Sequence, residues 1–170
     1  MEVVLYPDPI LKKKTEPISE VTEDIVELSQ EMIKTMHRAN GVGLAGPQVG
    51  IAKQIIIVNP TAEEGNETVY LNPKILKRKG KEIGEEGCLS FPGVYGNVQR
   101  STWIQVKATL ISGEEVTFEA EDFEARVLQH EIDHLLGVLF INKIQPVEQI
   151  AIKTQLKELE QKYESKNENA

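Results

Sequence analysis

Apolar residues Ile25, Leu28, Met32, Ile33 and Met36 recur at three- and four-residue intervals, so the segment from Val21 to Ala39 reads as an amphipathic helix. Thr22 is its expected cap, ahead of the acidic pair Glu23-Asp24. A second helical pattern runs through Ala125, Val127, Leu128, Ile132, Leu135 and Leu136. Glu121-Asp122 is expected to cap it and Gly137 to stop it. A third opens at Pro146 and runs to about Tyr163, with Val147, Ile150, Leu156 and Leu159 expected inward and residues 164–170 frayed. Short apolar runs at 54–58, 69–71 and 138–141 read as strands, and 103–111 with 115–119 as an antiparallel pair turning at Ser112-Gly113. Residues 3–6 are β-prone and end in the turn Pro7-Asp8-Pro9. Gly41 to Gly50, with four glycines and a proline, is expected to be neither helix nor strand.

A chain of 170 residues, 40% of them hydrophobic, supports one core, and a single domain over 1–170 is the expectation. With 19 Lys+Arg against 27 Asp+Glu, the net charge of −8 argues against a general nucleic-acid surface and for no DNA partner, while leaving local basic patches open. Lys77-Arg78-Lys79-Gly80 is one such exposed run. No apolar run is long enough to span a bilayer and the N-terminus lacks signal-peptide character, so a cytoplasmic protein with no membrane partner is expected. The single cysteine, Cys88, excludes an intrachain disulfide and leaves a buried hydrophobe or a reactive or ligating thiolate.

The chemistry is densest in Gln129-His130-Glu131-Ile132-Asp133-His134. Four residues apart on a helix, His130 and His134 share a face and can hold one metal ion, with Glu131 projecting beside it. A catalytic site needs a third ligand and an open position, and Cys88 is the natural candidate. Glu131 is better placed to take a proton from water than to ligate, which points to amide hydrolysis. Asp133 is expected to pair with Arg100, or alternatively with Arg126. Gln48, in the glycine-rich segment, either donates into a site or merely pins its loop. That segment lacks the lysine of a phosphate-binding loop.

Three segments, Gly41 to Gln48, Glu86-Gly87-Cys88-Leu89-Ser90 and Gln129 to His134, together resemble the peptide deformylase family. The departure is Gly46, where that family usually has alanine. The resemblance implies a small α+β fold, with antiparallel sheets around a central metal-binding helix and further N- and C-terminal helices. It implies removal of the formyl group from N-formyl-methionine on new polypeptides, with Cys88, His130 and His134 as ligands and Glu131 as general base and then acid. Gln48 and the Leu89 N–H would stabilise the oxyanion. Val42, Gly43, Phe123, Arg126 and Val127 would frame the methionine pocket, while backbone groups near Val42 to Leu44 and Gly87 would pair with an extended substrate strand. Fe(II) would be the physiological metal, with zinc, nickel or cobalt able to replace it, and the C-terminal helix a possible ribosome contact. A general zinc endopeptidase and a non-catalytic metal-stabilised module are the alternatives. The glycine-rich segment and ligating cysteine fall outside the first pattern, and the intact set of proton-transfer and oxyanion groups argues against the second.

Overall fold

The computed structural model describes residues 1–168. The first helix, α1 (Glu23–Arg38), starts where the Thr22 hydroxyl accepts the N–H of Ile25, and buries Ile25, Met32 and Met36. The glycine-rich segment differs from expectation. Its small side chains let Gly43–Ala45 lie against Ile55–Val58 as a short strand, β1 paired with β2, before a 3-10 turn at Gly46–Val49. Gly46 itself is closely packed, since a Cβ there would lie 2.7 Å from the carbonyl oxygens of Ile51 and Lys53.

Strand β3 (Thr68–Lys79) does not stop at Asn72-Pro73 as the sequence suggests. Proline cannot donate to a ladder, and the register shifts between Leu71 and Lys74 to pass it. Asn72, left-handed at φ 51, is held there by its side chain, which accepts from the Ile18 N–H and donates to the Ile18 carbonyl, both at 2.7 Å. Next come β4 (Glu82–Gly87) and β5 (Tyr95–Arg100), a two-stranded ribbon for which the sequence offers no alternation. The expected antiparallel pair follows as β6 (Trp103–Leu110) and β7 (Glu115–Glu121).

Strands β1, β2, β3, β6 and β7 form one antiparallel sheet in that order. Helix α2 (Asp122–Leu135) covers one face and α1 the other, which is why all four residues of β2 are buried rather than alternating. Ile56 packs with Leu128 and Ile132 of α2, while Ile57 packs with Met32 and Met36 of α1. Each such side chain contributes about 1.5–3 kcal/mol on burial. A third cluster, with Phe91, Val98 and Phe140, joins the ribbon to the N-terminal segment and the last helix, α3 (Pro146–Glu168).

Several element ends depart from expectation. Glu121 occupies the N-cap of α2 without a side-chain capping bond, and Asp122 sits at φ 51 with its N–H on the Thr102 carbonyl. Gly137, at φ 74, does end α2, and the N–H of Val138 closes back on the Asp133 carbonyl. Residues 138–141 are therefore committed to the cap and to a 3-10 turn at Phe140–Asn142, not to a strand. In α3, Val147 and Ile150 are 85% and 77% exposed; the inward positions are Ile152 and Leu159, with Leu156 half-buried. Residues 164–168, expected to fray, continue the helix, and 169–170 lie outside the described residues. Residues 3–6 form no strand either. The N–H groups of Val4 and Tyr6 instead bond the carbonyls of Gln48 and Ser90, tying together two of the three motif segments. Among the described residues no helix is long and apolar enough to cross a membrane.

Candidate metal centre

One helical turn separates His130 from His134, and their rings sit 5.1 Å apart, both buried on the face of α2 that meets the ribbon. Cys88 directly follows β4, placing its Sγ 3.4 Å from His134 Nε2. The Cys88 sulfur and one nitrogen from each histidine lie within 4.8 Å of one another. A thiolate with two imidazoles at that separation fits a first-row divalent metal, and the grouping is the one expected from sequence.

Behind the ligands stands a network centred on Glu86, a residue to which the sequence assigned no role. His130 Nδ1 meets Glu86 Oε1 at 2.9 Å, which turns its other ring nitrogen toward Cys88. Glu86 also accepts two bonds from Arg100, at 2.8 and 2.9 Å, and one from Arg126 at 2.8 Å. Arg100 then reaches Asp133, which holds Lys143 at 3.0 Å as well. The expected Asp133–Arg100 pair is thus present, and Arg126 pairs with Glu86 instead. Glu86 was legible in one respect. Two residues before Cys88 in an extended segment, its side chain leaves the backbone on the same side as the cysteine's.

Burial alone would raise the Glu86 carboxyl, but hydrogen bonds from Arg100 and His130 overcome it and hold its pKa at about 2. Burial likewise works against charge on His130, and here bonds to Cys88 and Glu86 win, raising it well above its ordinary value. A metal entering the site must displace that proton. His134 goes the other way, with burial and the His130 charge pushing it well down into the neutral form that metals bind. Glu131, nine-tenths or more buried, is raised by that burial to about 7 against the opposing charge of His130. Its Oε1 and His134 Nδ1 have no hydrogen-bond partner among the described residues. An unpartnered carboxyl oxygen next to three ligands suits proton transfer to or from a bound molecule.

The Gln48 amide is oriented from both ends. Its Oε1 accepts the Ala45 N–H at 3.0 Å, while its Nε2 donates to Ser90 Oγ at 3.2 Å and points at Cys88 Sγ, 3.4 Å away. It thus both pins the loop and faces the site. A cavity of about 290 Å³ opens in front, lined by Gln48, Cys88, Leu89, His130 and Glu131. The five residues expected to frame the pocket, Val42, Gly43, Phe123, Arg126 and Val127, line it too, together with Gly87, Asn40, Gly41, Glu85 and Tyr95. Leu44, expected to act through its backbone, does not line it. Its side chain alternates to the other face of β1 and is fully buried with Met32 and Met36. Arg126 forms part of the wall, but its guanidinium is spent on the ribbon, donating to the carbonyls of Val98 and Glu82 as well as to Glu86. Gly43 must be glycine, because a Cβ there would collide with the Glu131 carboxylate.

The family model described as polypeptide deformylase matches residues 1–150, which hold every residue of this site. The chain belongs to that family. It is 46% identical over 149 residues to a peptide deformylase of Thermodesulfovibrio yellowstonii, covering 86% of this chain and 90% of the relative. It is 48% identical over 137 residues to that of Halothermothrix orenii, covering 81% and 88%. Among solved structures, the plant peptide deformylase PDF1B superposes with a TM-score of 0.95 at 40% identity, covering 98% of this chain and 92% of that one. A Plasmodium falciparum peptide deformylase gives 0.93 at 35% identity, covering 96% and 97%. Deformylases are metal-dependent, and the Cys88, His130 and His134 grouping is where this chain can hold the ion.

Proposed function

We propose that this chain is a metal-dependent amide hydrolase that removes the N-formyl group from the formyl-methionine at the start of new polypeptides. The observation that carries the reading is the convergence of Cys88, His130 and His134 beside the unpartnered, buried Glu131, with Cys88, His130 and Glu131 on the wall of one cavity. Cys88, His130 and His134 would hold the metal; Lewis acidity, which lets water attack near neutral pH, is what a divalent ion contributes there. Glu131 takes a proton from the attacking water, the water oxygen adds to the formyl carbon, and the C–N bond breaks as Glu131 passes the proton to the leaving nitrogen. The products are formate and a free amino terminus. Gln48 Nε2 and the Leu89 N–H stabilise the negative charge that develops on the formyl oxygen.

The peptide itself would add to the sheet. Among the described residues β1 pairs with β2 alone and so lies at the sheet edge, where backbone groups near Val42 to Leu44 not already bonded, as the Val42 carbonyl is to Asn59, would bond an extended chain, with Gly87 across the cavity. Phe123, Val127 and Val42 would receive the methionine side chain, beside the Arg126 wall. We take Fe(II) as the physiological metal, with zinc, nickel or cobalt compatible with the same thiolate and imidazole set. The cytoplasm is the proposed location. The exposed Val147 and Ile150 on α3 support that helix as a ribosome contact.

The test is formate release from formyl-Met-Ala-Ser by protein loaded anaerobically with Fe(II), beside acetyl-Met-Ala-Ser. A methyl in place of the formyl hydrogen would have to fit between Gly43 and Leu89, where overpacking costs about 1–3 kcal/mol and displaces the carbonyl from its donors. Comparable rates on the two peptides overturn the reading. Glu131→Gln should retain metal while turnover falls by roughly 10²-fold or more. Cys88→Ser should lose metal and activity together, because a hydroxyl does not replace a thiolate ligand.

A further inference from the structure

A second cleft, of about 390 Å³, lies where the turn between β3 and β4 meets the end of β5, the side of α2 and the segment leading to α3. Its lining contains five cationic residues, Arg78, Lys79, Lys81, Arg100 and Lys143, and no carboxylate. In a chain of net charge −8 that is a concentrated departure from the rest of the composition. Arg100 and Lys143 are engaged by Asp133, and Arg100 by Glu86 as well. Arg78, Lys79 and Lys81 form no ion pair among the described residues, and all three are exposed.

The positive charge also continues beyond the cleft along β3. Lys74 stands directly opposite Lys107 on β6, an arrangement that costs stability in a sheet. Lys77 follows, and Lys79 lies over the Trp103 ring with its ammonium 4.6 Å from the centroid. The strip ends at β7, where Glu119 and Glu121 face Gln105 and Trp103. Exposed cations in a cleft whose lining has no carboxylate match a phosphodiester backbone, for which each contact releases counterions. Within the cleft, Gln99 and Ser101 add an amide and a hydroxyl, groups that can both donate to and accept from a ribose 2′-hydroxyl.

We propose that this cleft binds the phosphate backbone of RNA, with Arg78, Lys79 and Lys81 as the phosphate contacts and Gln99 and Ser101 reading the sugar. The site is separate from the catalytic cavity and does not rest on the function proposed above.

The probe is a fluorescein-labelled RNA hairpin of about twenty nucleotides, titrated with the metal-loaded full chain and followed by anisotropy. A dissociation constant on the order of micromolar is expected at low salt, with log K falling against log salt at a slope of roughly −2 to −3 for three phosphates, so a fourfold rise in salt weakens binding about 16- to 64-fold. The double charge reversal Lys79→Glu with Lys81→Glu should weaken binding at least about tenfold. It should leave turnover on a formylated peptide unchanged. Reversing Lys153 and Lys157 on α3 should change nothing. No binding, a slope near zero, or equal loss from the α3 variant overturns the proposal. So does equal affinity for a DNA hairpin of the same sequence, which removes the role of the 2′-hydroxyl, or displacement by polyglutamate at the same charge concentration.

Discussion

His130 meets Glu86 at 2.9 Å and His37 meets Glu67 at 3.0 Å, yet the two contacts are built into different surroundings. The first is buried on both sides and shares its carboxylate with Arg100 and Arg126. The second sits at the C-terminal end of α1 with both side chains partly in water, and its other partners are neutral, the Asn59 amide and the Gly65 N–H. Both glutamates are pulled below the usual carboxylate range. For Glu67 the bond from His37 is the main cause, working against little burial; for Glu86 the cations must first overcome burial itself. A similar length therefore says little about what a pair does. What separates them is how many other charged groups lose their partner when one member is removed.

Glu86→Gln gives the largest expected effect. It leaves Arg100 and Arg126 facing a neutral amide in the interior, and breaking a buried ionic arrangement of this kind costs roughly 3–5 kcal/mol. Urea denaturation of the chelated protein reads that loss. The same substitution also releases the His130 ring from its orienting carboxylate, and loss of such a partner typically weakens metal affinity by about 10- to 100-fold. If Glu86→Gln and Glu67→Gln destabilise equally, the contrast drawn between the two sites fails.

A double-mutant cycle sharpens the contrast within the buried network. Arg100 touches both Glu86 and Asp133, so Arg100→Met with Asp133→Asn should show coupling of about 1–3 kcal/mol. Arg126 bonds Glu86 and not Asp133, and the cycle of Arg126→Met with Asp133→Asn should give less than about 0.5 kcal/mol. The reverse pattern would mean that Asp133 answers to Arg126, the partner the structure excludes.

The same difference explains which parts of the fold could be read from the chain. Helix α1 buries one stripe, and α2, although buried on all sides from Val127 to Leu135, keeps its apolar residues at helical spacing, so both helices and the stop at Gly137 are visible as letters. The metal grouping was legible because His130 and His134 share a helix and Cys88 is the only thiol. The ribbon β4–β5 was not. Its sequence, Glu82-Ile83-Gly84-Glu85-Glu86-Gly87, has no apolar alternation because Glu86 turns to the ion network while Ile83 is left exposed. Leu44 enters the substrate reading through its backbone alone, because a strand sends successive side chains to opposite faces and its own is buried with Met32 and Met36. Val147 and Ile150 look inward by spacing alone. Only the packing of Ile152 and Leu159 against the third cluster shows which stripe of α3 is covered.

The smallest effect is the most direct test of the exposed pair. In the unfolded chain Glu67 titrates near its ordinary value of 4.5; in the fold, the hydrogen bond from His37 lowers it. Above that ordinary value both states are ionised and the pair contributes in full. As pH falls below it, the unfolded chain takes up its proton first, so the stabilisation is lost progressively until pH passes the lowered folded value. A partly exposed pair contributes about 0.5 kcal/mol or less, so the signal is a small shift in urea midpoint. Glu67→Gln should be slightly less stable than the parent chain at about pH 6, and the gap should close toward about pH 3.5 as the parent loses the contribution that the glutamine never made. Salt at about 1 M should narrow the gap at the higher pH, since screening reaches a partly exposed contact. A gap of the same size at both pH values would show that Glu67 acts by shape and neutral hydrogen bonding to Asn59 and Gly65, and that charge distinguishes the two histidine–glutamate contacts less than their surroundings imply.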